Sequence, residues 1–285
     1  MKINVRKSLC WFVIFGILLN VVCIFNVGLK SSFAETTDRY SATYGGDAPT
    51  PYEYTVVSDE TVNYTRREVV TVNLVNNAPL YTPISGLDNG CGSVAGAIVI
   101  GFYDKYYEDL IPNYTTYLPF NGKYKGNDAT YIPKLMRELY TLMRTNVDDV
   151  GVSRDDCLNG LKAYVQGKNR SLEYEDIKNS NKVDYNSFKR AMNENKPVLL
   201  FCDKTVSYSV VSSSNSDRIV GAVITSTAHI VVGYEYYEVN YYNGNNLFRT
   251  DRYIRIATGL STVNVHWLKI DATDWCDGAY AVNVK

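Results

Sequence analysis

The sequence predicts an α+β fold, a helical half followed by an antiparallel β half, and three observations carry that prediction. From about residue 88 to 196 the apolar residues recur mostly at helical spacing. From 197 to the C-terminus they gather in β-rich runs, at Val198 to Cys202, Ile219 to Ile224 and Ile230 to Tyr234. Helical and β signals that segregate along a chain, instead of alternating, argue against a doubly wound parallel sheet. The 285 residues are 46% hydrophobic and 21% charged, the composition of a chain able to bury a core.

The first 34 residues are of another kind. Lys2, Arg6 and Lys7 precede an apolar stretch from Leu9 to Leu29, and Ser32-Phe33-Ala34 supplies small residues where a signal peptidase reads them. Residues 1–34 therefore read as a secretory signal peptide cut after Ala34. A retained anchor is the alternative, since about 20 apolar residues span a bilayer, although Asn20 and Asn26 weaken such a span. The protein is expected to be secreted and extracellular, with no stable membrane span after cleavage, or held at the cell surface if the segment stays. Its removal takes away four basic and no acidic residues, leaving 25 basic against 30 acidic and a net charge of -5. A nucleic-acid partner is excluded on that balance, because such binding draws on excess positive charge.

Residues 35–77 read as a polar lead-in or short pro-segment, with the alternation Val69-Val70-Thr71-Val72-Asn73-Leu74-Val75 predicting one or two strands. The main domain is then 78–285. After Ser93, the run VAGAIVIGFYDKYY is apolar nearly all round and carries Gly96, Ala97 and Gly101, which predicts a central buried helix. Ile132, Leu135, Met136, Leu139, Leu142 and Met143 predict a second helix, with Pro133 tolerated in its first turn. Asp184 is an N-cap for a helix burying Tyr185, Phe188 and Met192, which stops near Asn195-Lys196-Pro197 and feeds the strand at Val198. Asn243-Gly244-Asn245-Asn246 between β-rich stretches predicts a hairpin turn.

The chemistry concentrates at Cys91. Asp88-Asn89-Gly90-Cys91-Gly92-Ser93 is a glycine-flanked turn running into the central helix, so Cys91 would sit at a helix N-terminus, where free amide N–H groups and the dipole favour a thiolate. Only His229 and His266 can supply an imidazole. His229 opens a strand predicted to be central, where its ring could face that helix end as general base; His266, beside Trp267, reads as a surface or packing residue. With two histidines and no C-x-x-C pair, a multi-histidine metal site is close to excluded, and the reading calls for no metal and no cofactor. Four cysteines follow the leader, Cys91, Cys157, Cys202 and Cys276, and in an oxidising compartment one or two disulfides are the plain expectation for them.

Gly90-Cys91-Gly92 followed by Ser93-Val94-Ala95-Gly96-Ala97 and Gly101-Phe102-Tyr103-Asp104, with the helix–Asn195-Lys196-Pro197–strand unit and His229-Ile230-Val231-Val232-Gly233-Tyr234, resembles the papain-like cysteine peptidases. The closest likeness is to the bacteriocin-processing, double-glycine leader peptidase type and its secreted relatives, over roughly residues 78–285. The resemblance implies a papain-like cysteine peptidase fold, Cys91 as nucleophile, His229 as general base and a peptide or protein substrate. Two departures stand out. The family's oxyanion glutamine falls on Ser85, with Ile84 and Gly86 beside it and Asn89 as a nearer amide; its imidazole-orienting Asp or Asn falls near Ala257-Thr258-Gly259, where Thr258 is the one side-chain acceptor. Loss of an oxyanion donor costs about 10²–10³ in turnover. The alternative reading is a catalytically weak or inactive extracellular binding module with a cell-surface or glycan contact, favoured by the 25 tyrosines and by Tyr234, Tyr236, Tyr237, Tyr241 and Tyr242 on the hairpin.

Overall fold

The structure is a computed structural model and describes residues 55–75, 77–147, 151–180, 182–225, 228–260, 266–272 and 276–285. The leader reading at 1–34 and the first part of the lead-in lie outside the described residues. Strands β1 (Thr55–Asn63) and β2 (Arg66–Asn73) come first, and then helix α1 (Cys91–Asp104). A small hairpin of β3 (Tyr117–Leu118) and β4 (Lys123–Tyr124) leads to α2 (Tyr131–Leu142) and α3 (Arg154–Gly167). Next are β5 (Leu172–Asp176), a second small hairpin of β6 (Lys178–Asn179) and β7 (Lys182–Val183), and α4 (Tyr185–Asn193). The remainder is β8 (Val198–Cys202), β9 (Thr205–Ser212), β10 (Ser216–Thr225), β11 (His229–Asn243), β12 (Asn246–Ala257), β13 (His266–Lys269) and β14 (Cys276–Val284).

The expected α+β division, a papain-like fold with a helical half, is overturned. Of the described residues, 43% lie in strands and 24% in helices, and the strand pairings are antiparallel. Two long strands precede the stretch read as helical. Within that stretch, β3 to β7 and their turns interrupt the helices. The periodicity at 91–104, 131–142 and 185–193 does mark helices, but it does not report how little of the chain between them is helical.

Two sheets result. A seven-stranded sheet has the order β13-β12-β11-β8-β14-β5, with β2 also on β11, and a three-stranded sheet has the order β1-β10-β9. β11 is the centre: β12 runs along one edge, while the other edge is shared end to end by β8, opposite His229 to Gly233, and β2, opposite Glu235 to Tyr242. The described part of the lead-in is thus built into both sheets, β1 into the three-stranded one and β2 into the seven-stranded one. The hairpin turn forms as predicted, with Asn243 opposite Asn246 and Gly244 at φ 60°, a left-handed conformation that glycine adopts without a Cβ penalty.

Helix α1 is buried from Gly92 to Asp104 because its small residues admit neighbours on several sides. A Cβ on Gly96 would lie 2.8 Å from Met143 Cε, and one on Gly101 would lie 2.5 Å from the Tyr81 hydroxyl. Asp184 caps α4 as predicted, accepting from the Ser187 N–H at 2.7 Å, and Ser153 caps α3 in the same way, accepting from the Asp156 N–H at 3.1 Å.

Part of the tyrosine excess has a structural account. Tyr103 donates to the Val282 carbonyl at 2.7 Å, Tyr164 to Leu110 at 2.7 Å and Tyr174 to Leu158 at 2.6 Å, so aromatic bulk and a carbonyl partner are supplied by one side chain. On the hairpin, Tyr234, Tyr236, Tyr237 and Tyr241 are buried instead of facing a partner.

The two sheets are tied at Asp217 of β10, whose side chain is 0% exposed. It receives Arg67 of β2 at 2.9 Å on both oxygens, Tyr64 at 3.0 Å and Tyr241 of β11 at 3.0 Å. Removing the carboxylate would strand a largely buried guanidinium and two phenols. Asp217→Ala is expected to lower the unfolding free energy by about 3–5 kcal/mol in urea titration, whereas a loss within about 0.5 kcal/mol would show that the network does not hold the sheets.

Candidate active site

The turn before α1 is shaped by backbone geometry. Asn89 is left-handed at φ 56°, and a Cβ on Gly90 would lie 2.9 Å from the Leu87 carbonyl, so Gly90 keeps its place for want of space. Gly90 caps α1 without a side chain, its carbonyl taking the Val94 N–H at 3.1 Å and the Ser93 hydroxyl at 2.8 Å. The first amides of the helix, beginning with Cys91 and Gly92, therefore have no intrahelical acceptor. Cys91 itself is half-buried.

His229 begins β11 and is 8% exposed. The β11–β12 pairing ends at Val232 and Ala257, and the chain then turns at Thr258-Gly259 beside the imidazole. His229 Nε2 lies 2.7 Å from the Thr258 carbonyl oxygen. A carbonyl only accepts, so Nε2 carries the proton and the lone pair of the neutral ring stays on Nδ1. Gly259, at φ 69°, seats this turn on α1: a Cβ there would lie 2.9 Å from Val94 Cγ1, one helical turn from Cys91.

Ile230 closes the arrangement. Its Cδ1 would lie 3.5 Å from a Cβ on Gly92, and its backbone N–H is among the groups that hold the Cys91 thiol pKa down against burial. The structure thus brings the start of β11 to the start of α1, with Thr258 behind the imidazole. Among the described residues the ring bonds to Thr258 and not to the sulfur. Thr258 contributes its carbonyl; its hydroxyl, the group the sequence singles out, accepts from the Leu260 N–H at 3.1 Å instead. One N–H of the Asn89 amide donates to Asn146 at 2.8 Å, and Ser85 is exposed in a turn. The donors that do face the sulfur are backbone N–H groups of Ile230, Gly92 and Cys91, which sequence reasoning misses because every residue but proline has one.

Burial decides the charge state. It pushes the Cys91 thiol above its ordinary range, and the three N–H groups pull it only part of the way back. It also lowers the His229 imidazole, with the Thr258 carbonyl opposing. Both shifts work against the expected thiolate at a helix N-terminus and favour a neutral resting pair. His266 is buried and pushed down to about 4 by that burial, with Nδ1 3.2 Å from the Ser207 hydroxyl. It is a packing residue between β13 and β9.

All four described cysteines are free thiols, in place of the expected disulfides. Cys202 sits opposite His229 on one side and Cys276 on the other, and register partners present their side chains to the same face. Burial pushes the Cys276 thiol up to about 12 and raises the Cys157 and Cys202 thiols as well. Among the described residues no cluster of three or more His, Cys, Asp and Glu could hold a metal ion.

No protein-family model, curated protein or solved structure matches the chain.

Iodoacetamide is expected to alkylate Cys91 about tenfold or more faster than Cys157, Cys202 or Cys276 in the folded chain, followed by peptide mass mapping, since thiolate fraction and access set the rate. Raising the pH makes thiolate, so with a neutral resting thiol the Cys91 rate should climb about tenfold per unit below its pKa. A rate already flat between pH 5 and 8 would mean a preformed thiolate–imidazolium pair.

Proposed function

We propose that this chain is an exported thiol hydrolase that cleaves a peptide bond or related amide through an acyl-enzyme on Cys91. The observation that carries the reading is the imidazole of His229, locked by the Thr258 carbonyl into the tautomer whose free nitrogen is a base, next in sequence to Ile230, which packs at the start of the Cys91 helix. The likeness to papain-like cysteine peptidases supports it through the residues around Cys91 and His229; the mostly antiparallel fold lends it no support.

In the first step the sulfur attacks the substrate carbonyl carbon while His229 Nδ1 takes the thiol proton, so the C–S bond forms as the S–H bond breaks. Negative charge passes to the carbonyl oxygen. The unpaired amides at the start of α1 are the donors available to it, in the place of a glutamine. The imidazolium then returns its proton to the departing amine as the C–N bond breaks. Water, deprotonated by the same nitrogen, hydrolyses the thioester. A neutral resting pair suits a half-buried site: an isolated thiolate or imidazolium would meet the full desolvation cost, whereas proton transfer creates both charges together and each offsets the other.

The binding-module reading draws on the tyrosine count and on the hairpin tyrosines, and the burial of Tyr234, Tyr236, Tyr237 and Tyr241 weakens the second of these, with Tyr242 left partly exposed.

Turnover of a fluorogenic peptide library is the direct test. Cys91→Ala should abolish hydrolysis, and His229→Ala should lower kcat by about 10²–10⁴. Thr258→Ala keeps the carbonyl and should stay within about threefold of the parent, a change of less than about 0.7 kcal/mol. Hydrolysis that survives Cys91→Ala sinks the proposal; a drop of a hundredfold in Thr258→Ala would return the orienting role to the hydroxyl.

A further inference from the structure

Outside the Cys91 site, the least explained feature among the described residues is the β3–β4 hairpin. Its tip presents Phe120 at 107% of its reference exposure, with Leu118 at 37% beside it. The tip is not loose. The N–H groups of Asn121 and Gly122 both bond the Leu118 carbonyl, at 3.2 and 3.0 Å, the Asn121 side chain accepts from the Lys123 N–H at 3.2 Å, and Gly122 supplies the left-handed φ of 66° that the turn needs. Phe120 is therefore held out in water by a built turn.

The surroundings are cationic and aromatic. Residues 117–126 contain Lys123 and Lys125 and no acidic residue. Lys105 lies under the hairpin, its ammonium 4.8 Å from the Tyr117 ring centre and 4.6 Å from that of Tyr106, while Lys125 lies 4.7 Å from that of Tyr114. Tyr106 is itself 44% exposed. An apolar tip above a collar of lysines and tyrosines matches the layers of a lipid interface, where apolar groups enter the acyl boundary and amphipathic rings and cations stay among the headgroups.

We propose that this hairpin docks the protein on an anionic lipid bilayer. A protein partner fits less well, because a stable interface buries about 800 Å² on each side and this convex tip offers two large apolar side chains. A bilayer demands no complementary pocket, and anionic headgroups answer the local positive charge of a chain that is otherwise acidic. The contact is weak and orienting, since firm anchoring takes more than one such element. It also sets a direction. The hairpin packs at the C-terminal end of α1, where Tyr124 donates to the Phe102 carbonyl at 3.3 Å and Thr116 to Gly101 at 2.9 Å. A helix of 14 residues is about 20 Å long, so docking would hold Cys91 that far along the helix from the inserted tip.

The test uses the full chain carrying Phe120→Trp, with the emission of the parent chain subtracted to remove its own three tryptophans. Vesicles of equal phosphatidylglycerol and phosphatidylcholine should shift the remaining difference emission, that of the introduced indole, to shorter wavelength, and brominated acyl chains should quench it. Lys123→Glu with Lys125→Glu should weaken the apparent affinity about tenfold or more. No shift, or no quenching, overturns the proposal. An equal shift with phosphatidylcholine alone overturns it too, because an apolar leader could bring that about without the lysines. A shift that appears without vesicles and grows with protein concentration would place the tip against a second copy of the chain, which also overturns it.

Discussion

Strand β11 has to satisfy the backbone of fifteen residues, the first nine of them buried, and that requirement arranges much of the rest. One edge is served from Val232 to Asn243 by β12, its hairpin partner. The other is too long for β8, which has five residues, and is completed by β2 from the far end of the sequence. Each edge partner then brings a functional or structural group with it. β8 places Cys202 opposite His229, β12 delivers Thr258 at the point where it leaves the ladder, and β2 carries Arg67 to Asp217. The site is at the start of the strand and the buried ion pair near its end, both positioned by a single register.

The competition at Cys91 is between two local effects of opposite sign. Free amides at a helix N-terminus favour an anion, but they are worth most where the anion is otherwise able to form. Here the helix starts inside the protein, and the desolvation that makes its amides strong also makes a lone thiolate costly. Burial wins for the isolated thiol, and it wins in the opposite chemical direction for the imidazole of His229. The neutral pair is the common outcome of one cause, and in the proposed mechanism the amides act on the charge that would develop during attack more than on the resting sulfur.

Local signals in the sequence are informative to different depths. The helix at 91–104, the stripe from Ile132 to Leu139, the Asp184 cap and the Asn243-Gly244 turn are readable because each depends on neighbours within a few residues. The fold class is not. Nothing local in Val69 to Val75 says that this alternation closes the open edge of β11 some 165 residues later. The tyrosines mislead for a related reason: alternation along a strand implies one wet face only when one face is free, and β11 is covered on both over its first nine residues. At the site, Cys91 and His229 stand out by residue type. Thr258 stands out for a hydroxyl that serves Leu260, while its carbonyl, a group common to every residue, holds the ring.

That substitution of a carbonyl for a carboxylate bears on how strong the proposed chemistry can be. A carbonyl dipole fixes the tautomer and the plane of the imidazole as well as an Asp or Asn would, so proton abstraction by Nδ1 keeps its geometry. It carries no net charge, however, and so offers less to the imidazolium that forms in the same step. The burial that lowers the His229 pKa is left only partly offset. A weaker base abstracts the thiol proton less readily but, once protonated, is the stronger acid toward a leaving amine. With attack hindered and expulsion helped, the acylation barrier shifts toward formation of the C–S bond. Substrates with activated carbonyls should then gain more from this site than substrates with good leaving groups.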